Sequence, residues 1–282
     1  MSPRASITVE PRWRNDLSFH LSGGVYYQPP FYKELRTLDG KLNANIKAQK
    51  SIHAVLGTEY RFTSWDRPFR FTAEMYYKYL TNLIPYRVDN VRIRYQGENI
   101  SEGYAWGLDL KVNGELVKGA ESWASLSVMR TYEDILNDQY GKFPRPTDQL
   151  INFGLFFQDY MPGNSSFRVH LSGNFGSGLP VNIPKDGRYD IVTRMPAYKR
   201  VDIGFSKVFK DENGNDSGKL KGAKWIKSLW VSAEIFNLLN INNTISYMWI
   251  QTVGNQENMS GRYAVPNYLT SRRLNVKLTV KF

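Results

Sequence analysis

The last nine residues, Leu274, Asn275, Val276, Lys277, Leu278, Thr279, Val280, Lys281 and Phe282, alternate apolar and polar without exception. Successive side chains of a strand point to opposite faces. The pattern therefore predicts a strand with Leu274, Val276, Leu278, Val280 and Phe282 on one face and Asn275, Lys277, Thr279 and Lys281 on the other. The same alternation returns about ten more times upstream. It runs through Ala5–Val9, Leu17–Tyr27, Ile52–Phe62 (Val55 breaking the rule), Phe69–Tyr79, Tyr104–Val112, Trp123–Met129, Ile151–Gln158, Phe167–Phe175, Val201–Ser206 and Leu229–Phe236. The expectation is an all-β chain of about eleven strands. One short helix is conceivable near Phe31–Leu38.

The segments between strands alternate in length. Short turns are expected at Arg14-Asn15-Asp16, Ser64-Trp65-Asp66-Arg67-Pro68, Asn113-Gly114 and Pro162-Gly163-Asn164. Long connections are expected at 28–51, 85–102, 132–148, 178–197 and 242–266, and residues 210–223 are polar and Gly-rich. A sandwich has no reason to gather its long loops at one end. An outer-membrane barrel does, with short periplasmic turns and long extracellular loops.

The two faces differ in chemistry. The polar face carries His20, His53, Glu59, Arg61, Arg70, Glu74, Lys78, Asp109, Lys111, Arg168, His170, Asp202, Glu234, Asn275 and Lys277, which on the barrel reading face the lumen. The other face carries Phe71, Leu108, Leu110, Phe153, Leu155, Val169, Leu171, Ile203, Val231, Val276, Leu278, Val280 and Phe282, which would face lipid. No apolar helix is present to cover that side.

Composition narrows the picture. Mean hydropathy is −0.46, and no apolar run approaches the ~18 residues of a membrane helix. A β-barrel passes this filter, because its strands are apolar only at alternate positions. Aromatics make up 14% of the chain, as interfacial girdles require. Cysteine is absent, which excludes a disulfide or a thiolate metal site. The net charge of +11 admits nucleic acid, an anionic substrate or lipid headgroups. No nucleic-acid motif accompanies it, so nucleic acid is not expected as a partner. No G-x-S-x-G or other nucleophile motif is present, and His20, His53 and His170 lack metal-ligand spacing. No catalytic residue, cofactor or metal is expected. The N-x-[ST] matches at Asn99, Asn164 and Asn242 read as chance. Tyr247 and Trp249, with Met248 and Ile250, fall in or near a long connection, where they are candidates for substrate contact or, equally, for an interfacial aromatic girdle.

Several runs resemble the TonB-dependent receptors of Bacteroidota. They are Ser2-Pro3-Arg4 before a strand, Tyr27-Gln28-Pro29-Pro30-Phe31-Tyr32-Lys33-Glu34-Leu35 after the next, and Pro68-Phe69-Arg70-Phe71 with Glu74-Met75-Tyr76-Tyr77-Lys78. Asn90–Tyr95 before Gly103-Tyr104-Ala105, Glu234-Ile235-Phe236-Asn237-Leu238-Leu239-Asn240, and Tyr263–Tyr268 with Arg272-Arg273 complete the set. The resemblance implies a 22-stranded outer-membrane barrel, plugged by an N-terminal domain and coupled to TonB, that imports a ferric siderophore, haem, cobalamin, a glycan or a peptide. An odd count near eleven then implies that residues 1–282 are the C-terminal half of the barrel, an antiparallel up-and-down meander without plug, TonB box or signal peptide and not transport-competent alone. Its partners would be outer-membrane lipid and lipopolysaccharide and, in the full-length protein, TonB and the plug. Two alternatives stay open: a complete small outer-membrane channel or adhesin barrel, and a soluble glycan-binding β-sandwich.

Overall fold

The computed structural model describes residues 1–89, 92–117, 119–161, 164–182, 193–210, 225–251 and 262–282. Among these, eleven long strands form one continuous antiparallel path: β1 (Arg4–Val9), β2 (Leu17–Gln28), β3 (Gln49–Ser64), β4 (Arg67–Leu83), β7 (Ser101–Val117), β8 (Ala120–Ile135), β10 (Ile151–Met161), β11 (Asn164–Gly176), β14 (Tyr198–Lys210), β15 (Ser228–Phe236) and β18 (Arg273–Lys281). Each pairs with its neighbours along the chain. The remaining strands sit in the connections: the hairpins β5 (Tyr86–Asp89) with β6 (Arg92–Tyr95), β12 (Pro180–Val181) with β13 (Thr193–Arg194), and β16 (Thr244–Gln251) with β17 (Arg262–Tyr268). The short β9 (Phe143–Pro144) docks on β8. The meander is a single sheet, so the two stacked layers of a sandwich are not what this sequence makes.

Turn chemistry fixes the strand order. Trp65 and Asp66 both take positive φ (52° and 57°), as a two-residue type I′ hairpin needs to match the strand twist. At residues 10–16 the Arg14 guanidinium lies 3.0 Å from the Asp16 carboxylate. That hydrogen bond holds the Asp16 carboxyl below its usual range.

Three expectations are corrected. Asn113-Gly114 is not a turn: β7 runs on to Val117, and Gly119 (φ 76°) closes the connection to β8. Asn113 is held inside the sheet by Glu121 (3.0 Å) and Arg70 (3.3 Å), and a side chain on Gly114 would strike the Phe69 ring. That glycine answers to close approach rather than to a turn. Second, Phe31–Leu38 is not helical. The buried Glu34 carboxylate accepts the Phe31 amide (2.8 Å) and closes a single turn; the chain then reverses at Gly40 (φ 84°) and bridges Arg36 to Leu42. Third, the alternation of short and long connections has an exception at 211–227, a long connection where a short turn is expected; its residues 211–224 lie outside the described set, as do Pro162 and Gly163 of the expected turn between β10 and β11.

Among the described residues the sheet has no apolar interior of ordinary size. Among the described residues, the buried hydrophobic ones are Phe69, Leu83, Ile84, Ala120, Phe143 and Val208. Ile7, Leu21, Leu56, Met75, Leu274 and Val276 stand exposed instead. Monomeric soluble proteins rarely leave so wide an apolar surface uncovered.

Candidate functional site: the polar face and the loop end

Strand register gathers the charged positions into rows. One row runs His20, Gly57, Glu74, Asp109, Ser127 and Asn152 across β2, β3, β4, β7, β8 and β10. A second runs Gln158, His170, Gly204, Glu234 and Asn275 across β10, β11, β14, β15 and β18. His53, Glu59, Arg61, Arg70, Lys78, Lys111, Arg168, Asp202 and Lys277 share the parity of these rows. Phe71, Leu108, Leu110, Phe153, Leu155, Val169, Leu171, Ile203, Val231, Val276, Leu278 and Val280 take the opposite parity. Phe282 follows β18 and stacks on Trp225, ring centroids 5.4 Å apart.

The two rows repeat one device. His20 reaches across β3 to Glu74, Nε2 to Oε1 2.9 Å, and its imidazole lies where a Cβ on Gly57 would be. His170 reaches across β14 toward Glu234 at 3.6 Å, over the bare backbone of Gly204. A glycine in the middle strand lets side chains two strands apart meet. Asn275 Nδ2 donates to the other oxygen of Glu234 (3.3 Å).

Aromatic rings fill gaps between these charges. His53 stacks on Tyr26 at 4.3 Å, and Arg4 lies over the same Tyr26. Lys78 sits 4.9 Å from the Tyr76 ring, which covers Gly107. Further along, Lys111 faces Trp123, Trp123 stacks with Phe156, and Phe156 contacts His170. Arg168 lies over Tyr160. Arg61 bonds Glu59 at 2.7 Å. The polar parity thus includes large rings that a simple polar/apolar reading passes over.

The run beginning at Glu234 shows why its asparagines matter. Asn237 and Asn240 take positive φ (51° and 53°), where Asn is tolerated better than other non-glycine residues. The Asn237 amide donates to Asp202 Oδ1 (2.7 Å). Its side chain both accepts from Ile241 N and donates to Ile241 O, each 3.0 Å. Asn240 accepts the Arg272 amide, and Asn243 bonds both backbone groups of Lys199 at 2.8 Å. Asp202 also pairs with Arg200 at 2.7 Å, so this position secures a corner of the sheet.

The loop end holds the most buried charge, and the period-2 pattern is silent there. Asp148, fully buried, accepts the Thr131 amide (2.8 Å) and pairs with Arg130 (3.2 Å) and Arg194. Arg194 also donates to the carbonyls of Asp148 (2.7 Å) and Gly178 (3.1 Å). Glu133, also buried, takes the Ser101 hydroxyl (2.9 Å) and lies 3.6 Å from Arg145. These groups bind the 136–150 connection to strand ends and to β13. Tyr247 and Trp249 lie on one face of the β16–β17 hairpin with rings 6.3 Å apart, outside the main sheet. Among the described residues, no group of three or more acidic or histidine side chains is arranged to hold a metal ion, and no helix is long and apolar enough to cross a membrane.

A long antiparallel meander with one charged face, one exposed apolar face and elaborated loops at one end is the wall of a large β-barrel. The model of the TonB dependent receptor-like β-barrel family matches residues 1–238, and the chain belongs to that family. Solved structures share the fold at low identity. The ferric-catecholate import receptor Fiu from K12 E. coli, in a closed form, matches with a TM-score of 0.63 at 14% identity, over 98% of this chain and 34% of that one. The copper transporter OprC matches at 0.59 and 16%, over 93% and 36%. The outer membrane transporter YddB from Escherichia coli matches at 0.61 and 11%, over 99% and 40%. The chain therefore spans less than half the length of these transporters. No curated protein matches it.

Proposed function

We propose that this chain forms the C-terminal half of a 22-stranded outer-membrane barrel in a TonB-dependent receptor of the Bacteroidota type, which imports a scarce nutrient. The observation that carries the reading is the pair of continuous faces on one eleven-stranded meander, in a chain of this family. The apolar face meets lipid and lipopolysaccharide, and the rows of His20, Glu74, His170 and Glu234 face the water-filled lumen and the plug. The long connections face outward, where Tyr247 and Trp249 are placed to touch the substrate. In the full-length protein TonB supplies the energy through the plug. Fiu and OprC, which share the fold, are a ferric-catecholate import receptor and a copper transporter; substrates of this kind, or haem, cobalamin, a glycan or a peptide, fit the class.

The test uses the full-length gene product. It should fractionate with the outer membrane, migrate differently on gels before and after heating, and support uptake under nutrient limitation only when TonB is present. Uptake at an undiminished rate without TonB, or recovery in the soluble fraction, would refute the proposal.

A further inference from the structure

We infer that the loop end of the apolar face, where β4, β7 and β8 meet the 136–150 connection, docks the headgroup of a membrane lipid carrying both a phosphate and an ammonium group. This rests on the receptor reading above and adds the chemistry of the lipid at one place on the barrel wall. Register sets the side chains of the apolar parity in rows. Tyr79, Tyr104 and Tyr132 form one row, and the rings of Tyr77, Tyr104 and Tyr132 stack in series at 6.3 and 5.5 Å. The rows beneath hold Tyr77 and Trp106, then Met75, Leu108 and Val128. At the turn end of the same wall, Phe62 and Phe69 stand opposite each other with rings 5.5 Å apart.

The separation of these aromatic rows matches the two boundaries of a bilayer. Phe69 and Tyr79 are ten residues apart on β4. That is about 33 Å of strand, and a tilt of about 40° reduces it to about 25 Å, the height of the apolar band on an outer-membrane barrel. Between the rows, Arg130 is the one charged residue of this parity on β3, β4, β7 and β8. It is committed to the buried Asp148 (3.2 Å). Tyrosine suits the outer row, since its ring lies in apolar surroundings while its hydroxyl reaches water.

One step above the tyrosine row the chemistry changes to charge. Glu102 and Asp134 stand directly opposite each other in the β7–β8 register. Like charges in that position repel, and an ammonium group between them turns the repulsion into attraction. The Tyr79 hydroxyl donates to Glu102 Oε2 (2.6 Å) and holds that carboxylate at the edge of the row. Lys142, exposed on the 136–150 connection, returns to this side of the wall and sets its Nζ 5.3 Å from the Tyr104 ring centroid. These groups share a cleft of about 30 Å³, room for a group the size of a water molecule or an ammonium. Glu133, which also lines it, takes the Ser101 hydroxyl (2.9 Å) and lies 3.6 Å from Arg145. A phosphate meets Lys142 and its neighbouring ammonium meets the carboxylate pair, so the surface complements a zwitterion. The acyl chains of the same lipid continue down over Trp106 and Met75, which stand exposed.

The test uses the full-length receptor, in vesicles for depth and in detergent for lipid retention. In a background lacking other cysteines, Leu108→Cys and Asp134→Cys each carry a fluorophore that nitroxide lipids quench from the acyl chain or from the headgroup. The label at 108 should be quenched most from the acyl chain and the label at 134 most from the headgroup. A label at 134 that neither nitroxide reaches overturns the headgroup site. A label at 108 that neither reaches refutes the lipid face and the receptor reading with it. In the second arm, the wild type should retain phosphatidylethanolamine about fivefold more than phosphatidylglycerol of the same acyl chains, the scale of one charge contact at a membrane surface. Glu102→Gln/Asp134→Asn should abolish that preference. Lys142→Glu should weaken retention of both lipids, and Lys142→Arg should preserve it. Equal retention of the two lipids by the wild type, or a preference that survives Glu102→Gln/Asp134→Asn, overturns the headgroup site and leaves the receptor reading standing.

Discussion

Glycine at two positions of the sheet shows how the same residue type can be dispensable or not. A Cβ on Gly57 would come 2.0 Å from the His20 imidazole, the free end of a side chain that can swing away. A Cβ on Gly103 would come 2.3 Å from the Tyr132 carbonyl oxygen, which is backbone in a paired strand. Gly57→Ala should therefore break the His20–Glu74 contact at a stability cost below about 1 kcal/mol, since the pair is substantially exposed. Gly103→Ala should cost about 1–3 kcal/mol, the range for overpacking a site that cannot yield. Unfolding titrations of the full-length barrel in lipid or detergent measure both; equal costs would contradict the geometry. The faces are tested on β18 in the same way. Val276→Arg should cost about 2–4 kcal/mol if it meets the bilayer midplane. Asn275→Arg, beside Glu234, should cost far less. Equal costs would remove the face assignment.

At the scale of elements, the strands could be read from the chain and much of the loop end could not. Period-2 alternation located the eleven long strands, because each strand carries polar residues at one parity and apolar residues at the other. It stopped short at Asn113-Gly114, where a turn-type dipeptide lies inside a strand and glycine serves the Phe69 ring. It gave no access to Asp148, Glu133, Arg145 and Arg194, since a buried ion cluster that joins a connection to strand ends has no period. Nor did it show that Lys142 returns over the Tyr104 ring, because the contact of a connection with a strand is tertiary. The Glu234–Asn240 run was legible as a family resemblance, while its physical reason, asparagines in left-handed conformation bonding backbone groups, needed coordinates. The Asp148 cluster carries its own prediction. Asp148→Ala removes the partner of two arginines and of the Thr131 amide. Removing one member of a fully buried ion pair costs ~3–5 kcal/mol, and the partial exposure of Arg130 and Arg194 lowers that to about 2–3 kcal/mol. The 136–150 connection should become the first site of limited proteolysis in the variant. An unchanged cleavage pattern would mean that the loop is held by something else.

At the scale of the whole molecule, the described residues form a sheet with two edges and an apolar face that none of them covers. β1 pairs with β2 alone and β18 with β15 alone among the described residues, so each edge presents unpaired backbone groups. Such edges template association between chains. β3, β4, β7 and β8 run 16 or 17 residues, longer than the ~9–11 residues that a tilted strand needs to cross a bilayer. Their apolar side chains, Leu56, Met75, Leu108 and Val112 among them, stand exposed, and no second layer of the described chain covers them. In a lipid-embedded barrel, bilayer would cover the face and neighbouring strands the edges. In water neither is available, and the net charge of +11 opposes association only over about a Debye length. The 282-residue chain expressed by itself should therefore aggregate in plain buffer and become tractable only in detergent or lipid. Light scattering and sedimentation across a detergent series measure this directly. A monodisperse monomer that unfolds cooperatively without detergent would show that the apolar face finds a cover within the chain, and would refute lipid as its partner.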